Sequence, residues 1–303
     1  MHTLEGRVAI ITGAGRGLGR EHALLFAAEG AKVVVNDLGG NFDGTGSDTS
    51  PAQQVVDEIK AAGGEAVANY DDVADWDGAK RLVDQAISTY GELHVLVNNA
   101  GILRDRMLTN MSAEEWDAIV RVHLRGHFCP TRWAAAYWRD RSKAGEPTNG
   151  AVINTSSTSG LFGNIGQTNY GAAKTGIATF SIIANAELGR YGVRVNAIAP
   201  VAATRLTNSV NPNREEPPSG EWSVMEAGNV SPFVAYLATV DCPINGRVFF
   251  VVGGAVHLFQ PFAIVDHIEK DGRWTVEELQ EAAPRLQDVE FNLNNPFDML
   301  SGR

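Results

Sequence analysis

Short apolar runs alternate along most of the chain with segments in which apolar residues recur at helical spacing. The runs that predict strands are 7–11, 31–36, 66–70, 93–97, 151–153, 193–199 and 248–252. The helical segments between them are 20–30, 51–62, one ending near Tyr90, one opened at Ser112, one carrying Tyr170 and Lys174, and 231–239. Strand and helix alternating through short links are typical of a parallel sheet covered on both faces. We therefore expect an α/β fold with a doubly wound parallel sheet of seven strands.

The alternation runs to residue 252 without a change in composition, which predicts a single domain over residues 1–254 and a C-terminal extension over 255–303. Within the domain, residues 205–229 are rich in proline and lack periodicity, so we expect a mobile lid over the substrate there. In the extension, Thr275 and Glu278 have the spacing of a capping box that opens a short helix. The extension is expected to pack against the domain or against a partner subunit.

Composition narrows the classes of partner. The 36 acidic residues outnumber the 25 basic ones, and the net charge of -11 disfavours nucleic acid. Cys129 and Cys242 lack ligand spacing, so neither a disulfide framework nor a metal site is expected. A strand begins within the first ten residues, no apolar run is long enough to span a bilayer, and the C-terminus is not SKL. The cytoplasm is the expected location.

A glycine-rich stretch, TGAGRGLG, follows the first predicted strand and precedes the first predicted helix. Its glycines, Gly13, Gly17 and Gly19, allow a tight turn and close approach of the backbone to a pyrophosphate, which a helix N-terminus attracts. Arg16 and Leu18 lie in the same turn. The arrangement predicts a Rossmann-type dinucleotide site.

The end of the second strand bears on the choice of dinucleotide. Asp37 stands where an acidic residue accepts hydrogen bonds from the adenosine ribose, and its carboxylate would repel the 2'-phosphate of NADP. Arg16 is a weaker signal in the opposite direction, since its guanidinium could meet that phosphate. NAD is therefore the expected cofactor, and the polar loop over 38–50 is expected to lie near the adenosine.

Two further strand ends carry residues suited to a nucleotide. Asp72 and Val73 follow the third strand, where a carboxylate can meet the adenine amino group, with a plain turn or helix cap as the alternative. The small residues of NNAG, 98–101, follow the fourth strand and suit a backbone passing beneath a ligand. In the next loop, residues 104–106 (Arg-Asp-Arg) could steer an anionic substrate or form a solvated rim.

The chemistry is expected in the stretch from Val152 to Lys174. Tyr170 and Lys174 are four residues apart, so on a helix they share a face. A free phenol has a pKa of about 10, and a nearby ammonium favours its anion and makes it a usable base. Four hydroxyl residues, 156–159, follow the apolar strand just upstream. A Tyr and a Lys at this spacing are a weak signal alone, and the cofactor loop strengthens it.

Together TGAGRGLG, Asp37, NNAG, Ser157 and the Tyr170–Lys174 pair resemble the short-chain dehydrogenase/reductase family. The resemblance implies a phenolate of Tyr170 that takes the substrate's hydroxyl proton, with Lys174 lowering its pKa and holding the nicotinamide ribose. It also implies Ser157 as the hydrogen-bond partner of the substrate oxygen, with Ser156 as the fallback. The cofactor contacts it implies are Gly13, Arg16, Gly17, Leu18, Gly19, Asp37, Asp72, Val73, Asn98, Asn99, Ala100, Gly101, Tyr170, Lys174, Pro200, Val201 and Thr204.

Longer stretches resemble one branch of that family, the (3R)-hydroxyacyl-CoA dehydrogenase domain of peroxisomal multifunctional enzyme type 2, or 17β-hydroxysteroid dehydrogenase type 4, here in a stand-alone bacterial-type form. The stretches are NDLGG, AGILRDRM, VHLRGHF and TSSTSGLFGNIGQTNY. His123 departs from the asparagine of the broad family, and the branch resembles this chain in having His there. Its role, proton relay or packing, stays open at this point, and it counts among the candidate catalytic residues.

The leading hypothesis is NAD-dependent oxidation of a (3R)-hydroxyacyl-CoA derived from a fatty acid or a steroid side chain, by a homodimer or homotetramer. One rival is a hydroxysteroid or other secondary-alcohol dehydrogenase, because the same residues handle any carbinol that fits. The other is a dinucleotide-sensing regulator without chemistry, which need not keep serine, tyrosine and lysine together.

Overall fold

The computed structural model describes residues 2–41, 43–204, 222–260 and 262–288. Most of the expected lid, residues 205–221, lies outside the described residues, as does the end of the chain from residue 289. The described residues divide into two compact units, one ending at residue 259 and the other beginning at residue 260. Every element discussed below as part of the sheet or the active site belongs to the first unit.

The first unit is built on one sheet of eight strands in the order β3-β2-β1-β4-β5-β6-β7-β8. The strands are β1 (Val8–Thr12), β2 (Lys32–Asn36), β3 (Glu65–Asn69), β4 (Val95–Asn98), β5 (Gly150–Thr155), β6 (Val193–Val201), β7 (Val248–Val252) and β8 (Ala255–Leu258). The first seven strands pair in parallel. Strand order reverses between β1 and β4, the switch point at which such sheets bind ligands beyond their carboxyl ends.

Helices follow the strands as the apolar spacing predicts. They are α1 (Gly17–Ala28), α2 (Ser50–Ala61), α3 (Trp76–Tyr90), α4 (Ala113–Val120), α5 (Gly126–Lys143), α6 (Thr158–Leu161), α7 (Thr168–Leu188), α8 (Ser231–Ala238) and α9 (Val276–Ala282). Boundaries differ from the sequence expectation by a few residues, as usual for helix and strand ends. The four-residue helix α6 was not expected from the sequence.

The strands β1 to β6 contribute to two cores, one on either face of the sheet, because successive side chains of a strand point to opposite faces. In β1, Ala9 and Ile11 enter the first core, and Val8 and Ile10 enter the second. Helices α1, α2 and α8 cover the first core, whereas α3, α5 and α7 cover the second. Burial on both faces explains why the strands read as continuous apolar runs rather than as an alternating pattern.

The expected count of seven strands was wrong by one. Strand β8 pairs antiparallel with β7, with Phe250 opposite His257 and Val252 opposite Ala255. It is four residues long and its side chains alternate between half-buried and exposed, so it lacks the apolar run that marked the other strands. An edge strand is paired on one side only, which relaxes the demand for apolar residues. The boundary expected at residue 254 therefore falls before the last strand of the sheet.

The helix opened by the capping box of Ser112 and Glu115 is interrupted. Both hydrogen bonds of the box are present at the start of α4, but residues Arg121–Arg125 form a π-helical turn before α5 begins. A π turn inserts an extra residue into the helical repeat and rotates the side chains within it. This turn contains His123.

The second unit contains the short helix α9, and its start was predicted. Thr275 caps the helix and Glu278 completes the capping box. Lys270 forms an ion pair with the same glutamate at 2.6 Å. Across the described residues of both units, no helix combines the length and the apolar character that a bilayer crossing needs.

Candidate active site

The glycine loop between β1 and α1 has the tight geometry that the sequence predicts. Gly13 and Gly17 have φ values of +62° and +53°, in the left-handed region that favours glycine. A Cβ on Gly13 would lie 2.7 Å from the Cα of Ala100, and a Cβ on Gly19 would lie 2.2 Å from the carbonyl oxygen of Gly13. Only glycine lets the loop approach the end of β4 this closely, and the cradle it leaves fits a pyrophosphate at the N-terminus of α1.

Asp37 closes one side of this loop. Its Oδ2 accepts a hydrogen bond from the Gly15 amide at 2.8 Å, and its Oδ1 accepts one from the Gly39 amide at 2.7 Å. A carboxylate has about four acceptor sites, so the two oxygens can still accept the hydroxyls of a ribose. The backbone bonds fix the direction in which the carboxylate faces.

A cleft runs along the carboxyl ends of β1, β2, β3 and β4. Eleven of the predicted cofactor residues line it: Gly13, Arg16, Gly17, Leu18, Asp37, Asp72, Val73, Asn99, Ala100, Gly101 and Thr204. The cleft is lined further by Asn36, Leu38, Gly40, Asn41, Gly44, Asp71, Ile102, Arg121 and Val122. Gly19, Pro200, Val201, Tyr170 and Lys174 are not among its lining residues.

The sequence missed two groups of lining residues for different reasons. The first group belongs to the polar loop, which the sequence placed near the adenosine without predicting which of its residues line the cleft. These residues are Leu38, Gly40, Asn41 and Gly44. Arg121 lies more than 80 residues from the glycine loop, and nothing local marks it. Its Nη2 donates to Oδ2 of Asp72 at 2.5 Å, which places an ion pair at the expected adenine edge.

The two asparagines of NNAG form hydrogen bonds with different parts of the protein. Asn98 is fully buried, and its Nδ2 donates to Thr131 and to Asn154, each at 2.9 Å. Its side chain therefore links β4 to β5 and α5 inside the protein, and it does not line the cleft. Asn99 instead donates through Nδ2 to the carbonyl oxygens of Thr12 and Gly13, at 3.1 and 3.2 Å, and so ties the end of β4 to the glycine loop.

The two candidate serines at the end of β5 face opposite ways. Ser156 is buried, and its hydroxyl donates to the backbone carbonyl of Lys174 at 2.7 Å. Ser157 is the N-cap of α6, accepts from the Ser159 amide at 3.2 Å and forms a hydrogen bond with the side chain of Tyr170. The geometry thus brings Ser157 to the tyrosine and turns Ser156 away from it.

Tyr170 and Lys174 lie one turn apart on α7, as expected. The Nζ of Lys174 lies 5.5 Å from the centre of the Tyr170 ring and donates to the carbonyl oxygen of Thr155 at 2.6 Å. Burial lowers the pKa of Lys174 to about 7. Burial also raises the pKa of Tyr170 to about 12, while the bond from Ser157 lowers it and the charge of Asp105 raises it.

These directions correct the sequence argument in one respect. A neighbouring ammonium was expected to depress the pKa of Tyr170, but desolvation, which penalises the anion, is the larger effect in the protein alone. The Nζ of Lys174 lies over the ring, 5.5 Å from its centre, and burial lowers the pKa of this lysine as well.

His123 lies beneath Tyr170 inside the π-helical turn. Its ring is 5.1 Å from the Tyr170 ring and perpendicular to it. Nε2 is 2.8 Å from the carbonyl oxygen of Ile102, and Nδ1 has no hydrogen-bond partner among the described residues. A Cβ on Gly101 would lie 2.5 Å from the ring, so the histidine requires glycine there. Burial holds the pKa of His123 well below its usual range, and the ring is neutral near pH 7.

The charged residues of the loop after β4 have partners. Arg104 donates through Nε to the carbonyl oxygen of Asp43 at 2.9 Å, and Arg106 pairs with Glu115 at 3.0 Å. Asp105 accepts from Gln167 at 2.8 Å. Because both arginines are already paired within the protein, these contacts favour a solvated rim over a site that binds an anionic substrate. Within the described part of the chain, no three His, Cys, Asp or Glu side chains group to hold a metal ion.

Comparisons with known proteins identify relatives of this chain. The family model for short chain dehydrogenases matches residues 7–216. A hydroxyacyl-CoA dehydrogenase of Mycobacterium tuberculosis, ChsB1, is 45% identical over 284 residues, which are 91% of this chain and 87% of that protein. The crystal structure of a short chain dehydrogenase from Mycobacterium avium superimposes with a TM-score of 0.85 at 51% identity, covering 94% of this chain and 96% of that one.

A larger relative shows the same fold within a longer protein. The full-length peroxisomal multifunctional enzyme type 2 of Drosophila melanogaster superimposes with a TM-score of 0.72 at 33% identity. The match covers 98% of this chain but 48% of that protein, so the chain spans about half of this relative. The chain belongs to the short-chain dehydrogenase/reductase family, whose dehydrogenases act on CH–OH groups with a nicotinamide dinucleotide.

Proposed function

We propose that the protein oxidises the 3-hydroxyl of a (3R)-hydroxyacyl-CoA to the 3-ketoacyl-CoA, with NAD as the hydride acceptor. The observation that carries the proposal is the convergence of Ser157 and Lys174 on Tyr170, which packs against the cluster of Ile102, a residue that lines the cleft. The acyl-CoA part of the proposal is supported by a relative of nearly equal length that is named a hydroxyacyl-CoA dehydrogenase. The R configuration follows from the resemblance to the multifunctional enzyme.

In the proposed mechanism, the substrate loses a proton from its hydroxyl group and a hydride from the carbon that bears this group. Tyr170 Oη, as the phenolate, accepts the proton of the substrate hydroxyl, while Ser157 donates a hydrogen bond to the same substrate oxygen and holds it in place. Bound NAD⁺ would supply the hydride acceptor and a positive charge near the phenol. Lys174 keeps its own ammonium over the ring and is directed by the carbonyl oxygen of Thr155. The proton then passes from Tyr170 towards solvent.

We assign His123 to packing and backbone support rather than to proton relay. It is neutral near pH 7, and its Nε2 is fixed on Ile102, whose backbone lines the cofactor cleft. Its edge supports the ring of Tyr170. The histidine thereby joins the floor of the cleft to the catalytic phenol.

NAD is preferred over NADP in this proposal because of Asp37. Its carboxylate faces the glycine loop, where the 2'-phosphate of NADP would add a second negative charge. Arg16 lines the same cleft, but Asp48 of the polar loop lies within its electrostatic reach and offsets part of its charge. Two acidic residues thus oppose one arginine on this side of the cleft.

The remaining proposals concern context. Phe128 of α5 and Ile183 of α7 are 40% and 54% exposed, and such apolar surface on neighbouring helices suits a homodimer or homotetramer. The C-terminal unit would pack on the domain or on a partner subunit. The protein would act in the cytoplasm, where Cys129 and Cys242, both free, stay reduced.

A substrate panel tests the function. (3R)- and (3S)-hydroxyacyl-CoAs of several chain lengths, steroid-derived hydroxyacyl-CoAs and free hydroxysteroids are incubated with NAD or NADP, and reduced cofactor is followed at 340 nm. We expect turnover of the 3R thioesters with NAD. Turnover of free steroid alcohols but not of thioesters would overturn the substrate assignment, and equal efficiency with NADP would overturn the role of Asp37.

The same assay separates an enzyme from a dinucleotide-sensing regulator. Tyr170→Phe keeps the ring and removes the hydroxyl, so we expect kcat to fall by about 10³-fold or more while NADH still binds. Activity surviving in this variant would show that the chemistry takes place elsewhere.

A further inference from the structure

Asn169, directly before Tyr170 in the first turn of α7, has an unusually complete set of partners. Its side chain is fully buried. Nδ2 donates to the backbone carbonyls of Arg104 and Glu115, at 3.0 and 3.2 Å, and Oδ1 accepts from the amide of Tyr170 at 2.7 Å. The carboxamide thus uses both donors and satisfies one of the amides that a helix start leaves without an intrahelical partner.

The two carbonyls belong to segments that surround the tyrosine from different sides. Arg104 follows Gly101 and Ile102, which line the cofactor cleft. Glu115 lies in the first turn of α4, which leads into the π-helical turn. Tyr170 itself packs against a cluster that includes Ile102 and Ile119, one residue from each of these segments. One carboxamide therefore ties the start of α7 to the floor and to the wall of the pocket that holds the phenol.

A second set of bonds holds the same segments side by side. The amide of Arg106 donates to the carbonyl of Gly166 at 2.8 Å, and Nε2 of Gln167 donates to Asp105 at 2.8 Å. These two bonds lie at the exposed rim, where Asp105 and Arg106 face solvent. Asn169 forms the buried end of this contact and lies closest to the tyrosine.

We propose that Asn169 is a positioning residue for Tyr170, holding the first turn of α7 at the place where the phenol can reach the substrate hydroxyl. This inference rests on the proposed function in taking Tyr170 as the base. Misplacing a reacting group by about 1 Å can cost about a hundredfold in rate. Because the amide of Tyr170 is itself one of the bonded groups, loss of the carboxamide moves the catalytic residue first.

Two substitutions remove the bonds while keeping the shape. Asn169→Leu removes both donors and the acceptor, and Asn169→Asp keeps the acceptor but directs a carboxylate at two carbonyl oxygens. Asn196 provides a matched control, since it is 1% exposed, donates through Nδ2 to the Ile244 carbonyl at 3.0 Å and accepts from the Arg247 amide at 3.0 Å. It lies in β6 and does not line the cofactor cleft, so Asn196→Leu removes comparable buried bonds without touching the site.

The experiment compares Asn169→Leu, Asn169→Asp and Asn196→Leu in the full chain. Unfolding by urea, the Kd of NADH and kcat with the best substrate of the panel are measured for each. We expect all three to unfold at lower urea and to bind NADH within about twofold of wild type, and kcat to fall by about 30- to 100-fold in the Asn169 variants alone. Should Asn169→Leu not fold, Asn169→Ser, which retains one donor, takes its place with a smaller loss expected.

A readout independent of turnover distinguishes this inference from the proposed function. Tyrosines labelled with ¹³C at Cζ are titrated by NMR, and Tyr170→Phe assigns the Tyr170 signal. Loosening the first turn hydrates the phenol, so its pKa is expected to fall from about 12 towards its ordinary value in Asn169→Leu and to stay unchanged in Asn196→Leu. Equal kcat losses in both variants, or an unmoved Tyr170 titration in the Asn169 variants, would overturn the positioning role.

Discussion

At the scale of single residues, two adjacent serines with the same side chain form hydrogen bonds with different partners. Ser156 and Ser157 both carry a hydroxyl at the end of β5, yet Ser156 donates into α7 and Ser157 reaches Tyr170. Successive residues of an extended chain point to opposite sides, so only one of the two can face the tyrosine. The sequence could rank these serines through resemblance alone, whereas the structure separates them by direction.

The two serines give a matched pair of variants. Ser157→Ala removes a hydroxyl that stabilises the Tyr170 anion and that, in the proposed mechanism, holds the substrate oxygen, so kcat is expected to fall by about 10²-fold or more. Ser156→Ala removes a buried hydrogen bond to α7 and is expected to cost about 1 kcal/mol of unfolding free energy with kcat nearly unchanged. Steady-state kinetics and urea unfolding measure both quantities. A larger kcat loss at Ser156 would reverse the assignment.

At the scale of elements, the turns between strand and helix position the chemistry. The glycine loop approaches Ala100 so closely that side chains are excluded, and Asn99 fastens the two together. The π-helical turn rotates His123 under the tyrosine. Both elements require glycines where a Cβ would clash, among them Gly13 and Gly19 in the loop and Gly101 next to the ring of His123.

Gly19 and Gly189 test this dependence. Gly19→Ala places a Cβ 2.2 Å from the Gly13 carbonyl oxygen, so the loop must shift, and we expect NADH to bind about tenfold more weakly with a loss of about 1–3 kcal/mol of stability. Gly189 has φ -54° and open space around its Cβ, so Gly189→Ala should change stability by about 1 kcal/mol or less and leave NADH binding intact. Isothermal titration with NADH decides, and equal affinity in both variants would contradict the steric argument.

At the scale of the whole molecule, buried neutral histidines make folding sensitive to acid. Burial lowers the pKa of His22 and of His127 to about 3. His22 is a residue of α1, and its Nδ1 lies 2.8 Å from the hydroxyl of Ser231 at the start of α8. Between about pH 3 and the ordinary histidine pKa of about 6.5, these two histidines are protonated in the unfolded chain but remain neutral in the folded protein. The stability these rings contribute is therefore complete above about pH 6.5 and is lost as the pH falls.

His22 offers a test away from the active site. Each such histidine steepens the loss of unfolding free energy by about 1.4 kcal/mol per pH unit between about pH 6 and pH 4. His22→Asn keeps a polar atom near the position of Nδ1 and removes the titration, so its stability should fall less steeply with acid than that of wild type. Urea unfolding at pH 7, 6 and 5 gives the two slopes. Parallel curves would show that His22 does not control the acid response.

The sequence by itself determined the parallel part of the fold and which residue types the candidate site contains. Strands buried on both faces must be apolar throughout, so seven of them could be read as runs, and the spacing of Tyr170 and Lys174 places them on one helix face in any helix. The glycine loop could also be predicted, because Gly13 and Gly17 take positive φ values that favour glycine whatever surrounds them. These features depend on residues close together in the chain.

Only the tertiary structure decided what depends on distant partners. The pairing of β8 with β7, the ion pair of Arg121 with Asp72 and the burial of His123 each join residues that no local pattern links. The same is true of Tyr170, where packing raises the pKa that the neighbouring lysine was expected to lower. A sequence pattern shows which chemical groups the chain contains. The desolvation of these groups and the direction in which each side chain points arise only when the chain has folded, and both affect the pKa and the contacts of each group.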